Sequence, residues 1–142
     1  MLSPLRVFMR MPITKLRIIV IENNLPFLHK LISLLSFEFN VIATTADGKA
    51  ALDLVRCYEP DLVVLDLHIP VLNGLDITVQ LAKHLPRLPV VICTLETDSE
   101  FVEAARRAGA IGYVFKTQVE TDLIEAVKSA LERKQFVSAK RE

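Results

Sequence analysis

Polar side chains stand directly after four short, largely apolar runs in this sequence. Glu22 and Asn23 follow 17–21, Asp66 follows 62–65, Thr94 follows 90–93 and Lys116 follows 111–115. Two carboxylates, an amide, a hydroxyl and an ammonium together form a set suited to phosphate and a divalent cation. Carboxylate and amide oxygens match Mg²⁺, which keeps several of its waters. A lysine offers a phosphate a point charge, and a threonine hydroxyl offers a hydrogen bond. In phosphoryl transfer, positioning and charge neutralisation supply most of the catalysis, so no more elaborate machinery is needed.

These residues meet only if the four runs are parallel strands of one sheet. The run Leu62-Val63-Val64-Leu65 is apolar without alternation, as a strand covered on both faces must be. Asp66 then lies where that strand surfaces, at the carboxyl edge, which is the ligand-binding edge of open α/β sheets. A further strand is expected over 41–46, giving five in all. Each strand is followed by a helical pattern. Phe27, Leu28, Leu31, Ile32, Leu34 and Leu35 mark the first, and Ala50, Ala51, Leu54 and Val55 mark the second, ended by Pro60. The third spans about 73–85 and stops before Pro86. The fourth carries Phe101, Val102 and Ala105, with Thr97 and Glu100 at capping-box spacing and Gly109 at its end. The fifth spans about 119–133, with Ile124, Val127 and Leu131 inward and Lys128 placed to pair with Glu125 or Glu132. Strict strand–helix alternation predicts an α/β, doubly wound parallel sheet with helices on both faces.

The chain has 142 residues, half of them apolar, enough for one domain with a full core. Lys plus Arg and Asp plus Glu both number 17, so no basic footprint points to direct nucleic-acid binding. No apolar run is long enough to span a bilayer. Cys57 and Cys93, without partners at ligand spacing, read as buried free thiols rather than a zinc site. Residues 1–14 read as an N-terminal extension: Pro4, Arg6, Arg10 and Pro12 break up its apolar residues, so it lacks the core of a signal peptide. Met9 and Met11 are alternative starts. Residues 136–142 read as a C-terminal tail or the start of a linker.

Asp66, Pro70 and Gly74 also carry a spacing, D-x-x-x-P-x-x-x-G, and Lys116 closes the run Gly-Tyr-Val-Phe-Lys. With Thr94 and Tyr113 in register between them, the chain resembles the receiver domain of bacterial two-component response regulators over residues 15–135. The resemblance implies the CheY-like, flavodoxin-like fold with strand order 2-1-3-4-5 and five helices. It implies that Asp66 is the phosphoacceptor, served by a sensor histidine kinase or phosphotransfer protein. Mg²⁺ would be held by Glu22, Asn23, Asp66 and the backbone carbonyl of His68, whose side chain is left free. Thr94, Tyr113 and Lys116 would bind the phosphoryl group and switch partner binding. Such a protein is cytoplasmic and catalyses only its own phosphorylation and dephosphorylation. It associates through its fourth helix, fifth strand and fifth helix, here bearing Arg106, Arg107, Lys128 and Glu132, or through its first and fifth helices, which makes a homodimer an expectation. His29 and His84 read as ordinary helix-face residues.

Two positions depart from the family pattern. Two acids usually follow the first strand; here they are Glu22 and Asn23, one charge fewer, which predicts weak Mg²⁺ binding. Lys116 is followed by Thr117 where a proline is usual. Receivers attached to LuxR- or NarL-type DNA-binding domains often lack that proline, and Glu132-Arg133-Lys134-Gln135-Phe136-Val137-Ser138 resembles the end of such a receiver. Asn23 keeps one alternative open, a pseudo-receiver acting as an interaction module without phosphate. A flavodoxin-like cofactor binder is disfavoured, because no Ser/Thr/Gly-rich phosphate loop follows the first strand.

Overall fold

The computed structural model describes residues 15–141. The expected N-terminal extension, 1–14, lies outside them. Six strands and five helices alternate: β1 Arg17–Ile21, α1 Leu25–Leu35, β2 Asn40–Thr45, α2 Gly48–Tyr58, β3 Leu62–Leu65, α3 Gly74–His84, β4 Val90–Thr94, α4 Ser99–Ala108, β5 Gly112–Phe115, α5 Val119–Leu131 and β6 Phe136–Val137. All the pairings are parallel, in the order β2-β1-β3-β4-β5-β6. The expected order 2-1-3-4-5 is present, with a sixth strand added from residues expected to be a tail.

The core explains why the central strands lack alternation. Successive side chains point to opposite faces. Ile18, Val20, Leu62, Val64, Val91 and Val114 pack with Leu31 and Leu35 of α1 and Leu123 and Val127 of α5. Ile19, Ile21, Val63, Leu65, Ile92 and Phe115 pack on the other side with Val55 of α2, Ile77 of α3 and Ala105 of α4. Helices on both faces bury the central strands β3, β4 and β5 completely, while β2 and β6 at the edges stay partly exposed. At the carboxyl ends of β1, β3 and β4 the polar residues Glu22, Asp66 and Thr94 are themselves buried.

Three local expectations are corrected. Cys57 is exposed, because α2 turns Ala51 and Val55 inward and leaves Cys57 on the opposite side; only Cys93 is buried. Thr97 and Glu100 do not form a capping box. α4 starts one residue later, with the Asp98 carbonyl accepting from Phe101 and Val102 and no side-chain cap. Lys128 pairs with neither Glu125 nor Glu132; its ammonium reaches Glu38, just beyond α1, at 2.7 Å. Gly109 ends α4 in a left-handed conformation at φ 116°, as its position suggested.

Candidate functional site

β3 delivers Asp66, which is 4% exposed. Its amide donates to the Ile21 carbonyl at 3.1 Å, so the aspartate continues the ladder between β3 and β1. Oδ1 accepts from the His68 amide at 3.2 Å, and Oδ2 lies 2.7 Å from Lys116 Nζ. The glycine eight residues on has a steric cause. α3 begins directly against this loop, with the Gly74 amide on the Leu67 carbonyl at 2.9 Å, and any β-carbon at Gly74 would collide with the Asp66 carbonyl.

β1 delivers Glu22, which is 1% exposed. Its Oε2 accepts from the Asn24 amide at 2.9 Å. Oε1 lies 2.8 Å from Lys116 Nζ as an ion pair, and no other donor among the described residues reaches it. Asn23 is exposed at the rim. Asn24, not Glu22 or Asn23, caps α1, its Oδ1 accepting from the Phe27 amide at 3.0 Å.

β5 delivers Lys116 into a 3₁₀ turn, Lys116–Gln118. The ammonium bridges the two carboxylates and sits 4.5 Å above the Phe27 ring. Burial alone pulls its pKa down and is the largest single influence. The hydrogen-bonding and charge of Asp66 and Glu22 together outweigh it, and the net shift is upward. Lys116 is therefore a fixed cation.

Thr94, at the end of β4, is fully buried, and its hydroxyl has no partner among the described residues. A buried hydroxyl left unpaired costs about 1–3 kcal/mol, so Thr94 Oγ1 has hydrogen-bonding capacity to offer a group bound at this edge. Tyr113 is 2% exposed, stacks edge-on against Phe115 with centroids 6.0 Å apart, and donates its hydroxyl to the Glu96 carbonyl at 2.7 Å. Burial first, then the charges of Glu96, Asp66 and Asp98, push its pKa up, so it remains a phenol donor. The His68 side chain points to solvent and meets Glu96 Oε1 at 2.9 Å.

The sheet thus brings Glu22, Asp66 and Lys116 into contact, sets Thr94 and Tyr113 at the same edge, and leaves Asn23 and the His68 ring outside. Sequence reasoning missed Glu96, which ties His68 to Tyr113, and the role of Asn24. The available signal for Glu96 was its place two residues after Thr94, in the loop leaving the same strand.

Over residues 18–128 the sequence matches the response regulator receiver domain family. The chain belongs to that family. It is 33% identical over 116 residues to the transcriptional regulatory protein DegU of Brevibacillus brevis, covering 80% of this chain and 49% of the relative. It is 32% identical over 104 residues to the oxygen regulatory protein NreC of Staphylococcus aureus, covering 72% of this chain and 48% of the relative. The chain therefore spans about half the length of these curated relatives. Among solved structures it resembles the signal receiver domain of NarL from Mycobacterium tuberculosis, with TM-score 0.78, 25% identity, and coverage of 83% of this chain and 97% of that one. It also resembles a LuxR-family two-component response regulator from Aurantimonas sp. SI85-9A1, with TM-score 0.82, 27% identity, and coverage of 87% and 89%.

This is a phosphoacceptor receiver domain of the two-component type, and the phosphate-independent alternative is not favoured. Receivers of this family bind Mg²⁺ at the phosphorylation site. The donors here fit that ion: they are oxygens only, and Glu22 Oε1 is a buried oxygen whose one partner among the described residues is the Lys116 ammonium. No group of three or more His, Cys, Asp or Glu among the described residues forms a ready metal cage. Beside Lys116 a cleft of about 380 Å³ opens between Asn24, Pro26, Phe27, Lys30, Leu95 and Thr117. A larger one of about 730 Å³ lies at the opposite end of the sheet, among Leu16, Pro60, Pro86 and Pro89, away from every candidate site residue. No helix among the described residues is long and apolar enough to cross a membrane.

Proposed function

We propose that Asp66 is the phosphoacceptor of this receiver, with Lys116 and Thr94 as the groups that hold the transferred phosphoryl oxygens. The observation that carries this reading is the pairing of a buried carboxylate, already against a fixed ammonium, with a buried hydroxyl that has no partner among the described residues. An Asp66 oxygen attacks phosphorus, the bond from phosphorus to the donor's imidazole nitrogen breaks, and that nitrogen regains a proton. Lys116 moves from Asp66 Oδ2 to a phosphoryl oxygen, and Thr94 supplies the hydrogen bond it does not otherwise make. Glu22, Asp66 and the His68 carbonyl would hold Mg²⁺, with Asn23 at the rim. The ion neutralises phosphoryl charge when bound.

Tyr113 is the switch aromatic. Drawing Thr94 toward the phosphoryl group changes the space above β4, and the Tyr113–Glu96 bond is the contact that responds. The donor is a sensor histidine kinase or phosphotransfer protein in the cytoplasm. It docks over the cleft beside Lys116, where Leu95 is 66% exposed. Homodimerisation would use the α4, β5 and α5 face, whose outer edge here includes β6 and the exposed Val137.

Acetyl phosphate with Mg²⁺ tests this reading by intact mass. The wild type is expected to gain one phosphoryl group and Asp66→Asn none. Labelling that persists in Asp66→Asn would place the acceptor elsewhere.

A further inference from the structure

α5 ends with Arg133 in a left-handed conformation, φ 63°, which turns the chain back along β5. Phe136 donates its amide to the Ile111 carbonyl at 3.2 Å and Ser138 donates to the Tyr113 carbonyl at 2.9 Å. The next rung is made by a side chain: the Phe115 amide donates to Ser138 Oγ at 3.1 Å. Ser138 Oγ in turn donates to Asp122 Oδ2 at 2.6 Å. Gln118 Nε2 donates to the same oxygen at 2.9 Å, while Asp122 Oδ1 accepts from Thr121 Oγ1 at 3.0 Å and Arg141 at 3.2 Å. Ser138 and Asp122 are each 4% exposed.

Phe115 directly precedes Lys116, and Gln118 closes the 3₁₀ turn that Lys116 opens. The Asp122–Ser138 pair therefore grips the chain on both sides of the site lysine. We propose that Ser138 and Asp122 are positioning residues for Lys116, and that docking of the segment 136–141 on β5 is coupled to phosphorylation. The physical reason is rigidity. Lys116 Nζ must meet Asp66 and then a phosphoryl oxygen, and its backbone follows the last residue of β5, which would be the sheet edge, free to fray, without β6. A misplacement of about 1 Å can cost on the order of a hundredfold in rate. Where the clasp favours the phosphorylated state over the free one, the phosphoryl group on Asp66 favours the clasp by the same free energy. This rests on the proposed role of Asp66.

The full chain tests it in two ways. Ser138→Ala deletes both the acceptor for Phe115 and the donor to Asp122; Ser138→Thr keeps the hydroxyl. Initial labelling by acetyl phosphate is expected to fall about tenfold in Ser138→Ala and to return to near wild type in Ser138→Thr. Equal rates in wild type and Ser138→Ala would overturn the proposal, as would equal loss in the two variants. Should Ser138→Ala not fold, hydrogen exchange on the wild type decides. Beryllofluoride with Mg²⁺ is expected to change exchange at the Phe115 and Ser138 amides, and unchanged exchange at both would overturn the coupling. A wild type that takes no label fails the Asp66 reading and this one with it. Normal labelling with an indifferent Ser138→Ala fails this one alone.

Discussion

Asp66 and Asp122 are equally buried, each 4% exposed, and both are tied to the end of β5. Their surroundings differ. Asp122 receives hydrogen bonds from Ser138, Gln118, Thr121 and Arg141. Burial pushes its pKa up as the largest single influence, but those donors together outweigh it and hold the carboxyl below its ordinary value. Asp66 receives one amide hydrogen bond at 3.2 Å and one ammonium at 2.7 Å. An ionised carboxylate has about four acceptor positions. Asp122 uses them on its own chain, whereas Asp66 keeps some for a reactant. Burial alone does not mark a reactive acid; burial with unused acceptor capacity does. Among the described residues, Thr94 Oγ1, which has no hydrogen-bond partner, and Glu22 Oε1, which has only the Lys116 ammonium, lie at the same edge as Asp66.

The most direct way to break the comparison is to neutralise each acid. Asp66→Asn is expected to abolish labelling while leaving stability unchanged or improved, because it removes one of two carboxylates sharing a buried rim. Asp122→Ala is expected to leave labelling detectable but lower stability by about 3 kcal/mol, because several donors lose their common acceptor. Urea unfolding beside intact-mass labelling reads both effects. If Asp122→Ala removes labelling as fully as Asp66→Asn does, the division into reactive and structural aspartates fails.

Lys116 is where the two surroundings meet. Lys116→Met would leave Asp66 and Glu22 facing each other without the ammonium that lies 2.7 Å and 2.8 Å from them. Removing one partner of a buried ion pair costs about 3–5 kcal/mol. Mg²⁺ is expected to restore much of that loss in the variant and to stabilise the wild type less. Equal stabilisation by Mg²⁺ in both proteins would show that the ammonium is not the charge holding these carboxylates together.

Asp122 also sets a pH dependence. Its folded pKa lies below the ordinary aspartate value of 3.8. Its contribution to stability is therefore fully present above that value and is lost as pH falls through the lower folded value. The advantage of wild type over Asp122→Asn is expected to hold constant from neutral pH down to about 5 and to shrink below 3.8. An advantage that persists unchanged at the lowest pH where both proteins fold would show that the charge of Asp122 is not what its four donors recognise.

Much of this was legible in the sequence. Apolar runs ending in Glu22, Asp66, Thr94 and Lys116 gave the strands, and parallel strands put those residues at one edge. Gly74 was legible as part of a spacing, though its reason, contact with the Asp66 carbonyl, was not. The segment 136–141 was not legible. Phe136-Val137 is too short for a periodic signal, and the bond joining Ser138 to Asp122 spans sixteen residues between side chains with no shared motif. Lys128 shows the same limit. Helical spacing offered it Glu125 and Glu132, but the tertiary fold brought Glu38 closer.

The comparison is sharpened by adding charge to the side that Asp66 leaves open. Glu22, Asp66 and Lys116 leave the site with two carboxylates against one ammonium, and Asn23 adds no charge from the rim. Glu22 is further committed: one oxygen holds the Asn24 amide and the other faces Lys116. A divalent ion must therefore compete with Lys116 for Glu22 or rely on Asp66. One extra negative charge about 4 Å from a divalent ion is worth about 2 kcal/mol even in water, partly offset by ordering and desolvation. Asn23→Asp is accordingly expected to tighten Mg²⁺ about tenfold and to speed labelling at low Mg²⁺, with little change at saturating Mg²⁺. Because Asn23 is exposed and Asn24, not Asn23, caps α1, the substitution leaves the fold and the α1 cap intact. Mg²⁺ titration followed by acetyl phosphate labelling checks it. If wild type and Asn23→Asp bind Mg²⁺ equally, charge at this rim does not limit the metal, and the orientation of Glu22 toward Lys116 is the feature to alter next.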